Sequence, residues 1–144
     1  MPRHSSPSRP SPDDVETHAA VRAWIEAWEE AWPTNDVERI VSRYRPDAPY
    51  RSHPFREAST ARAYVTQAFE AEDLVRCWFG DPVVDHDRAS VEYWAILRTP
   101  AGEHVTIAGT SMLRFDREGL VTNHRDYWDQ QDGAIDPAAG WGSA

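Results

Sequence analysis

Near the end of the chain runs the segment LVTNHRDYWD, residues 120–129. Its β-branched and aromatic residues predict a strand, in which alternate side chains face the same way. Every second residue from Leu120 to Trp128 then shares one face, and that face carries Asp126 and His124 beside an indole ring. A solvent-facing strand rarely needs such a mixture, so we predict that this face is the wall of a pocket.

Three preceding segments, also rich in β-branched and aromatic residues, predict further strands. Turn signals separate them at residues 85–87, 100–102 and 118–119. Together with the last segment they are expected to form a four-stranded antiparallel meander, from residues 74–84, 89–98, 104–116 and 120–130. Residues 47–55 predict only a short edge strand, because prolines within and beside it would remove ladder donors.

The N-terminal half predicts three helices with buried stripes. The first begins at Asp13 and ends before a proline, because apolar residues recur at spacings of three and four. Asn35 with Glu38 is a capping-box signature for a short second helix, and Ser59 or Thr60 caps a third. The inner faces are expected to carry Val21, Trp24, Ile25, Trp28 and Trp32, then Val37, Ile40, Val41 and Tyr44, then Tyr64, Val65, Ala68 and Phe69.

Helices followed by a meander place the chain in the α+β class, with three helices packed on one face of a strongly curved antiparallel sheet. The strand at residues 89–98 is apolar on one face, through Val91, Tyr93, Ala95 and Leu97, and partly apolar on the other. Such a strand needs a cover on both faces. We therefore predict a homodimer in which a second copy covers the outer sheet face.

Charge and composition exclude several classes of function. A net charge of −9 over 144 residues disfavours a nucleic-acid partner, which would require a basic stripe. The one cysteine, Cys77, cannot form an internal disulfide and is expected to be a small core residue. Because the sequence contains neither an apolar run of spanning length nor a leader, we expect no membrane contact and a cytoplasmic location.

The composition also divides the chain into a domain and two tails. Residues 1–12 are dominated by Ser, Pro and Arg and cannot offset the entropy of ordering, so a disordered tail is expected there. All predicted elements lie in one domain, residues 13–131. Residues 132–144 are rich in Gly and Ala and contain an isolated Trp141, so they are expected to be a tail, which could fold back over another part of the protein.

Several short blocks stand in a characteristic order along the chain. They are Trp-x-x-Ala-Trp leading to Asn35-Asp36, Tyr-x-x-Asp-Ala at 44–48, Tyr-x-x-x-Pro at 50–54, Val-Glu-Tyr-Trp at 91–94 and Arg-Asp-Tyr-Trp-Asp at 125–129. In this order they resemble the nuclear transport factor 2-like superfamily, especially its SnoaL-like polyketide cyclase and limonene-type epoxide hydrolase branches. The resemblance covers roughly Val15 to Gln131. It implies a cone-shaped, cystatin-like α+β barrel with a deep apolar pocket, although the superfamily includes both enzymes and non-catalytic binders.

The resemblance to the epoxide hydrolase branch is incomplete. The tyrosine of its first strand matches Tyr50, and its final aspartate matches Asp126. However, Ser52 stands where an asparagine is expected, and Glu92 and Trp94 replace an arginine and an aspartate. Epoxide opening by an activated water is therefore not expected.

The ketosteroid isomerase branch suggests other residues. Its first-helix tyrosine matches Trp28. Its aspartate base matches His53 when the segments are aligned on Pro54, and Ser52 when they are aligned without a gap. Both alignments stay open here, and they differ in the face of the strand that carries the group.

Asp126 is the first candidate for chemistry. Burial among aromatic rings would favour its protonated form, whereas a close His124 would favour the carboxylate. The structural alternative is a carboxylate that holds an arginine, Arg98 or Arg114, on a neighbouring strand. Asp126 and His124 lie about 6.5–7 Å apart along the predicted strand, which favours a shared substrate or a bridging water over a direct bond between them. His124 could be a general acid or base or a rim histidine, and His53 has the same two interpretations.

The remaining candidates are expected to bind or orient a substrate. Tyr50 and Trp28 could donate to an oxyanion, although the indoles of the first helix are more typical of core. Trp94 and Trp128 are expected to shape the pocket around a flat or polycyclic ligand, with Glu92 as a second acid or an ion-pair partner. No spacing of histidines predicts a metal site, and no cofactor is expected.

These observations lead to one predicted function and two alternatives. We predict a cofactor-independent isomerase, cyclase or dehydratase that moves protons on a hydrophobic, ring-containing carbonyl compound. Asp126 would be the acid/base, with His124 or His53 as its partner and Tyr50 as the oxyanion donor. The alternatives are a pocket protein that binds a hydrophobic small molecule without turnover, and a module whose sheet face binds another protein.

Overall fold

The computed structural model describes residues 11–143. Residues 1–10, where a disordered tail is expected, lie outside the described residues, and Pro12 of the same expected tail is buried. Helix α1 (Asp14–Ala31) begins with a capping box, in which the Asp13 carboxylate accepts from the backbone N–H of Glu16 and the Glu16 carboxylate accepts from that of Asp13. The sequence therefore predicts the start of α1 correctly.

The next two helices are short, α2 (Val37–Val41) and α3 (Ala61–Ala71). The N-cap of α2 is Asp36, whose carboxylate accepts from the backbone N–H of Arg39. The prediction that Asn35 caps this helix is wrong, because Asn35 ends the preceding 3₁₀ turn with a left-handed φ of 54°. Asparagine tolerates that conformation better than most residues. Thr60 caps α3 by accepting from the N–H of Ala63.

Six strands form one mixed sheet in the order β1-β6-β5-β4-β2, with β3 also paired to β4. Their bounds are β1 Tyr50–Arg51, β2 Asp73–Phe79, β3 Val83–Asp85, β4 Arg88–Arg98, β5 His104–Phe115 and β6 Val121–Asp132. The α+β class is confirmed. However, the sheet is not fully antiparallel, because β1 runs parallel to β6, and it is not closed, because β1 and β2 stand at opposite ends of the strand order. The predicted strand 74–84 is two strands, β2 and β3, interrupted around Pro82, which cannot donate a ladder hydrogen bond.

The three helices cover one face of this sheet. The core joins Val21 and Trp24 of α1, Ile40 of α2 and Val65 of α3 to sheet residues such as Val91, all of which are buried. Fully burying a side chain such as valine contributes about 1.5–3 kcal/mol, so the contact between the helices and the sheet stabilises the fold. Within residues 11–143, no helix combines the length and apolar character needed to cross a bilayer.

The opposite face of the sheet is partly covered by the C-terminal segment, residues 133–143. The indole N–H of Trp94 donates to the carbonyl of Ile135 at 2.7 Å, and the Thr106 hydroxyl donates to the carbonyl of Gly133 at 2.7 Å. Trp141 packs against Trp94 with ring centroids 5.9 Å apart. The chain itself therefore occupies part of the face at which a second copy is expected, and the homodimer stays a prediction.

Candidate functional site

A cavity of about 180 Å³ lies between α1, α3 and the inner face of the sheet. Aromatic side chains form much of its wall, including Trp24, Trp28, Tyr64, Phe69 and Phe79. Apart from its aromatic residues, the polar side chains of the cavity form two sets. One is buried and consists of Asp126, His124 and Ser111, which we call the inner end; the other consists of Arg56, Glu72 and Gln130, which are at least partly exposed and which we call the mouth.

A chain of hydrogen bonds runs through the inner end. Trp24 Nε1 lies 2.8 Å from the Tyr44 hydroxyl, and that hydroxyl lies 2.8 Å from His124 Nδ1. On the other side of the ring, His124 Nε2 lies 2.6 Å from Asp126 Oδ1, which also accepts a 2.7 Å bond from Ser111 Oγ. His124 is 1% exposed and Asp126 is 7% exposed, so water is largely excluded from the chain.

The donors and acceptors of this chain fix the position of the imidazole proton. An indole N–H can only donate, so the Tyr44 oxygen accepts from Trp24. Burial raises the pKa of Tyr44 well above its ordinary value, so the hydroxyl keeps its proton, and His124 Nδ1 is the acceptor beside it. The proton of a neutral His124 is then on Nε2 and is donated to Asp126. Asp126 is accordingly the carboxylate partner.

The direct bond between His124 and Asp126 differs from the sequence-based expectation of a bridging water. The two residues do share one face of β6, but their side chains point toward each other, so that His124 Nε2 lies 2.6 Å from Asp126 Oδ1. The alternative in which Asp126 holds an arginine is also wrong among the described residues. Its partners are His124 and Ser111, while Arg114 pairs with Asp87 at 2.9 Å.

Parallel pairing of β1 with β6 brings Tyr50 beside this chain. Tyr50 is the register partner of His124, and the two rings stack with centroids 3.8 Å apart and an interplanar angle of 20°. Tyr64 of α3 stacks on the other side, with its centroid 4.7 Å from that of Tyr50. These stacked rings hold the imidazole plane and form one wall of the cavity.

Three tyrosine hydroxyls at the cavity have no hydrogen-bond partner among residues 11–143, those of Tyr50, Tyr64 and Tyr93. Burial raises the pKa of all three, and the negative charge of Asp126 raises it further. For Tyr64 the pKa rises to about 12. These hydroxyls therefore stay protonated at neutral pH and are available as hydrogen-bond donors to a ligand.

The structure brings five of the predicted site residues to the cavity wall, namely Tyr50, Trp28, His124, Asp126 and Trp128. His53 and Ser52 lie just outside it. The His53 ring packs against Trp128 with centroids 5.1 Å apart, and the Ser52 carbonyl accepts from the Trp128 indole N–H. His53 therefore stands at the outer side of the mouth, away from Asp126.

The expectation that Glu92 and Trp94 line the pocket is wrong. Alternation along β4 sends Val91, Tyr93 and Ala95 inward and their neighbours to the outer face. Glu92 is exposed there, and Trp94 is covered by the C-terminal segment. The inward positions carry no charge, so β4 still lacks the Arg-x-Asp pair of the epoxide hydrolase branch.

Sequence reasoning missed several residues of the site. The sequence assigns Tyr44 and Tyr64 only to helix stripes, and no local pattern indicates Ser111 or Arg56. Tyr93 was placed on the correct face of β4, but it was counted there only as an apolar residue. Among residues 11–143, no three metal-binding side chains are grouped closely enough to hold an ion.

Solved structures of other proteins share this fold. An LEH-like epoxide hydrolase of M. tuberculosis shares the fold with a TM-score of 0.63 and 19% identity, over 81% of this chain and 84% of its own. SalBIII, an epoxide hydrolase/cyclase-like enzyme with a role in pyran ring formation in the polyether salinomycin, gives 0.69 and 16%, over 80% and 96%. A candidate isomerase of Rhodopseudomonas palustris gives 0.64 and 15%, over 76% and 89%.

The low identities make these three structures evidence of a shared fold. No curated protein matches the sequence. A family model, that of the SnoaL-like domain, matches residues 21–124. This match spans well over half of the 144 residues and contains the greater part of α1, all of α2 and α3, the first five strands and the start of β6. The chain therefore belongs to the SnoaL-like domain family.

Proposed function

We propose that the protein is an enzyme that moves a proton on a ring-containing carbonyl compound, as an isomerase, cyclase or dehydratase. The observation that carries the proposal is the Asp126 carboxylate. It is 7% exposed, it borders the cavity, and both of its protein donors bind the same oxygen, Oδ1. Within residues 11–143, Oδ2 has no hydrogen-bond partner, so it is the oxygen available to a substrate.

In the proposed reaction, Asp126 Oδ2 accepts a proton from the carbon next to the carbonyl group. The His124 N–H and the Ser111 hydroxyl stay on Oδ1, where they orient the carboxylate before and after the transfer. The resulting carboxylic acid returns the proton at another position, or delivers it to a leaving hydroxyl. A positioned acid or base of this kind contributes about 10²–10⁴-fold in rate.

His124 acts in this scheme as a positioning residue. Both of its ring nitrogens are engaged, one by Tyr44 and one by Asp126, and the ring of Tyr50 stacks on its imidazole. It therefore orients the base. His53, on the outer side of the mouth, has no part in proton transfer in this proposal.

The negative charge that develops on the carbonyl oxygen requires donors. The hydroxyls of Tyr50, Tyr64 and Tyr93 supply them, because each borders the cavity and has no protein partner among the described residues. Their raised pKa values keep them protonated beside the charged Asp126. Donors placed in a water-poor cavity stabilise an enolate more than they would in water.

The size of the cavity limits the substrate. An engineered cavity of about 150 Å³ holds a molecule such as benzene, and the volume here is about 180 Å³. This favours a substrate with one ring over the polycyclic ligand expected from the sequence. Trp94, one of the two residues on which that expectation depended, does not border the cavity.

Deuterium exchange tests the proposal without knowledge of the natural substrate. Small cyclic ketones and enones are incubated with the protein in D₂O, and loss of the α-proton signals is followed by NMR. We expect wild-type protein to accelerate exchange for at least one of them, and Asp126→Asn to reduce the rate at least about 100-fold. Asp129→Asn, on the same strand but exposed, is the matched control. Equal rates for Asp126→Asn and wild type would refute the proposal.

One observation favours a non-catalytic binding protein as the second candidate. Each member of the chain from Trp24 to Asp126 already has a partner within the protein, as expected for a purely structural network. In that case aromatic ligands would bind in the cavity, and exchange would be no faster than in buffer. Ligand binding by wild type and Asp126→Asn, measured by tryptophan fluorescence, separates loss of binding from loss of catalysis.

A further inference from the structure

Among residues 11–143, Arg56 is the only arginine or lysine that borders the cavity, and two contacts hold it at the mouth. Its NH1 donates to the hydroxyl of Ser52 at 3.2 Å, and its guanidinium carbon lies 5.3 Å from the centroid of the Trp128 ring. Ser52 is itself buried, and its carbonyl anchors the Trp128 indole N–H. A buried serine and an anchored indole together hold the guanidinium group at the cavity entrance.

The charge of this guanidinium is not neutralised within the described part of the chain. Arg56 forms no ion pair with a carboxylate of residues 11–143, although Glu72 borders the same mouth. Other arginines have such partners; Arg39, Arg45, Arg62, Arg76, Arg88 and Arg114 each pair with an Asp or Glu. Arg51, which donates to the backbone carbonyl of Arg56, adds a second positive charge nearby.

We propose that Arg56 binds a carboxylate group carried by the ligand, so that the cavity takes small cyclic carboxylic acids. A guanidinium has five N–H donors, and a carboxylate can accept two of them side by side. The Trp128 ring lies beside the guanidinium, and Ser52 accepts from NH1 alone, so the other N–H donors are available for these bonds. The volume of about 180 Å³ leaves room for one ring behind the carboxylate.

The charges along the cavity also set the orientation of such a ligand. Asp126 at the inner end repels a carboxylate, whereas Arg56 at the mouth attracts it. The opposite end of the ring, with any carbonyl group, is then directed toward Asp126 and the tyrosine hydroxyls. The inference rests on the proposed function only in using the same cavity, because binding requires no turnover.

The test uses benzoate and benzyl alcohol, which have the same ring and differ in charge, as probes in isothermal titration calorimetry. We expect wild-type protein to bind benzoate at least about tenfold more tightly. Arg56→Gln should remove this preference and leave the affinity for benzyl alcohol unchanged. Arg62→Gln, which alters an exposed arginine of α3 paired with Glu38, should leave both affinities unchanged. Glu72→Gln should increase benzoate affinity.

Three outcomes would overturn the proposal: no binding of either probe, equal affinities in wild type, or a benzoate preference that survives in Arg56→Gln. Asp126→Asn separates this inference from the proposed function. Removing the inner negative charge should preserve or strengthen benzoate binding. A benzoate preference in a protein that catalyses no proton exchange would refute the proposed function and leave this inference standing. Proton exchange by a protein that binds benzoate and benzyl alcohol equally tightly would refute this inference and leave the proposed function standing.

Discussion

Replacing Tyr44 with phenylalanine tests the hydrogen-bond chain directly. The ring and its packing are kept, but Trp24 Nε1–H and His124 Nδ1 each lose a partner, and both groups are buried. A buried polar group without a partner costs about 1–3 kcal/mol, so the expected loss for the two groups is about 2–6 kcal/mol of unfolding free energy. With an m-value of about 1.5 kcal/mol per molar urea, the unfolding midpoint falls by more than about 1 M.

Tyr64→Phe is the matched control for this measurement. It removes a hydroxyl from the same cavity, but that hydroxyl has no hydrogen-bond partner among residues 11–143, so we expect a loss below about 0.5 kcal/mol. If the two variants unfold at the same urea concentration, the hydrogen bonds of Tyr44 do not contribute to stability as we argue. The protonation assignment has its own test, because ¹⁵N NMR of the wild type should find the His124 proton on Nε2. A proton on Nδ1 alone would reverse the direction of the chain.

Two further predictions concern acid stability and assembly. Burial alone would raise the pKa of Asp116, but bonds from the Leu120 N–H and the Arg45 guanidinium hold it below 3.8. The stability that the Asp116 carboxylate contributes is present above the unfolded pKa of about 3.9 and is lost as the pH falls through the lower folded pKa. Asp116→Asn should therefore destabilise the protein at pH 7 and much less at pH 2. Equal losses of unfolding free energy at the two pH values, measured by urea unfolding, would contradict this prediction. On the outer sheet face, Val83 and Tyr127 remain 71% and 43% exposed beside the C-terminal segment. We expect Tyr127→Glu to turn a dimer into a monomer in light scattering, and a monomeric wild type would show the homodimer prediction to be wrong.

Strand alternation is the part of the fold that the sequence predicts best. The apolar residues Val91, Tyr93 and Ala95 fall on one face of β4, and that face does pack against the helices. The same rule places Glu92 and Trp94 on the other face. The resemblance to a distant family assigns them to the pocket, and that assignment is wrong because alternation along β4 sends them to the outer face.

The partner of Asp126 on β5 could not be predicted, because a bulge changes the strand register. Phe115 lies opposite Val121 near the turn, and counting four residues along each strand from there would place Ser111 opposite Arg125. The register shifts by one residue between Arg114 and Phe115, so Ser111 lies opposite Asp126 instead. Nothing in the local composition specifies such a shift. The bond from Ser111 to Oδ1 therefore depends on a feature visible only in the folded sheet.

Tyr44 illustrates the same limit at longer range. Its bond to His124 joins residues 80 positions apart, and it forms because the loop that follows α2 leads into the β1–β6 pairing, with Tyr44 itself bridged to Val121. In sequence, the tyrosine fits the apolar stripe of a helix equally well. Its role depends on the hydroxyl oxygen, and the spacing of apolar residues does not distinguish a tyrosine from a phenylalanine.

The arrangement of donors also decides which of two neighbouring groups can react. His124 and Asp126 are hydrogen-bonded, and either would be a conventional acid or base in isolation. His124 has both nitrogens bound and Tyr50 stacked on its ring, so a substrate cannot reach a lone pair without breaking a buried bond. Asp126 has both protein donors on one oxygen, which leaves the other free to accept a proton while the group stays oriented. In the proposed reaction the aspartate is therefore the reactive group, because both nitrogens of the histidine are already bound.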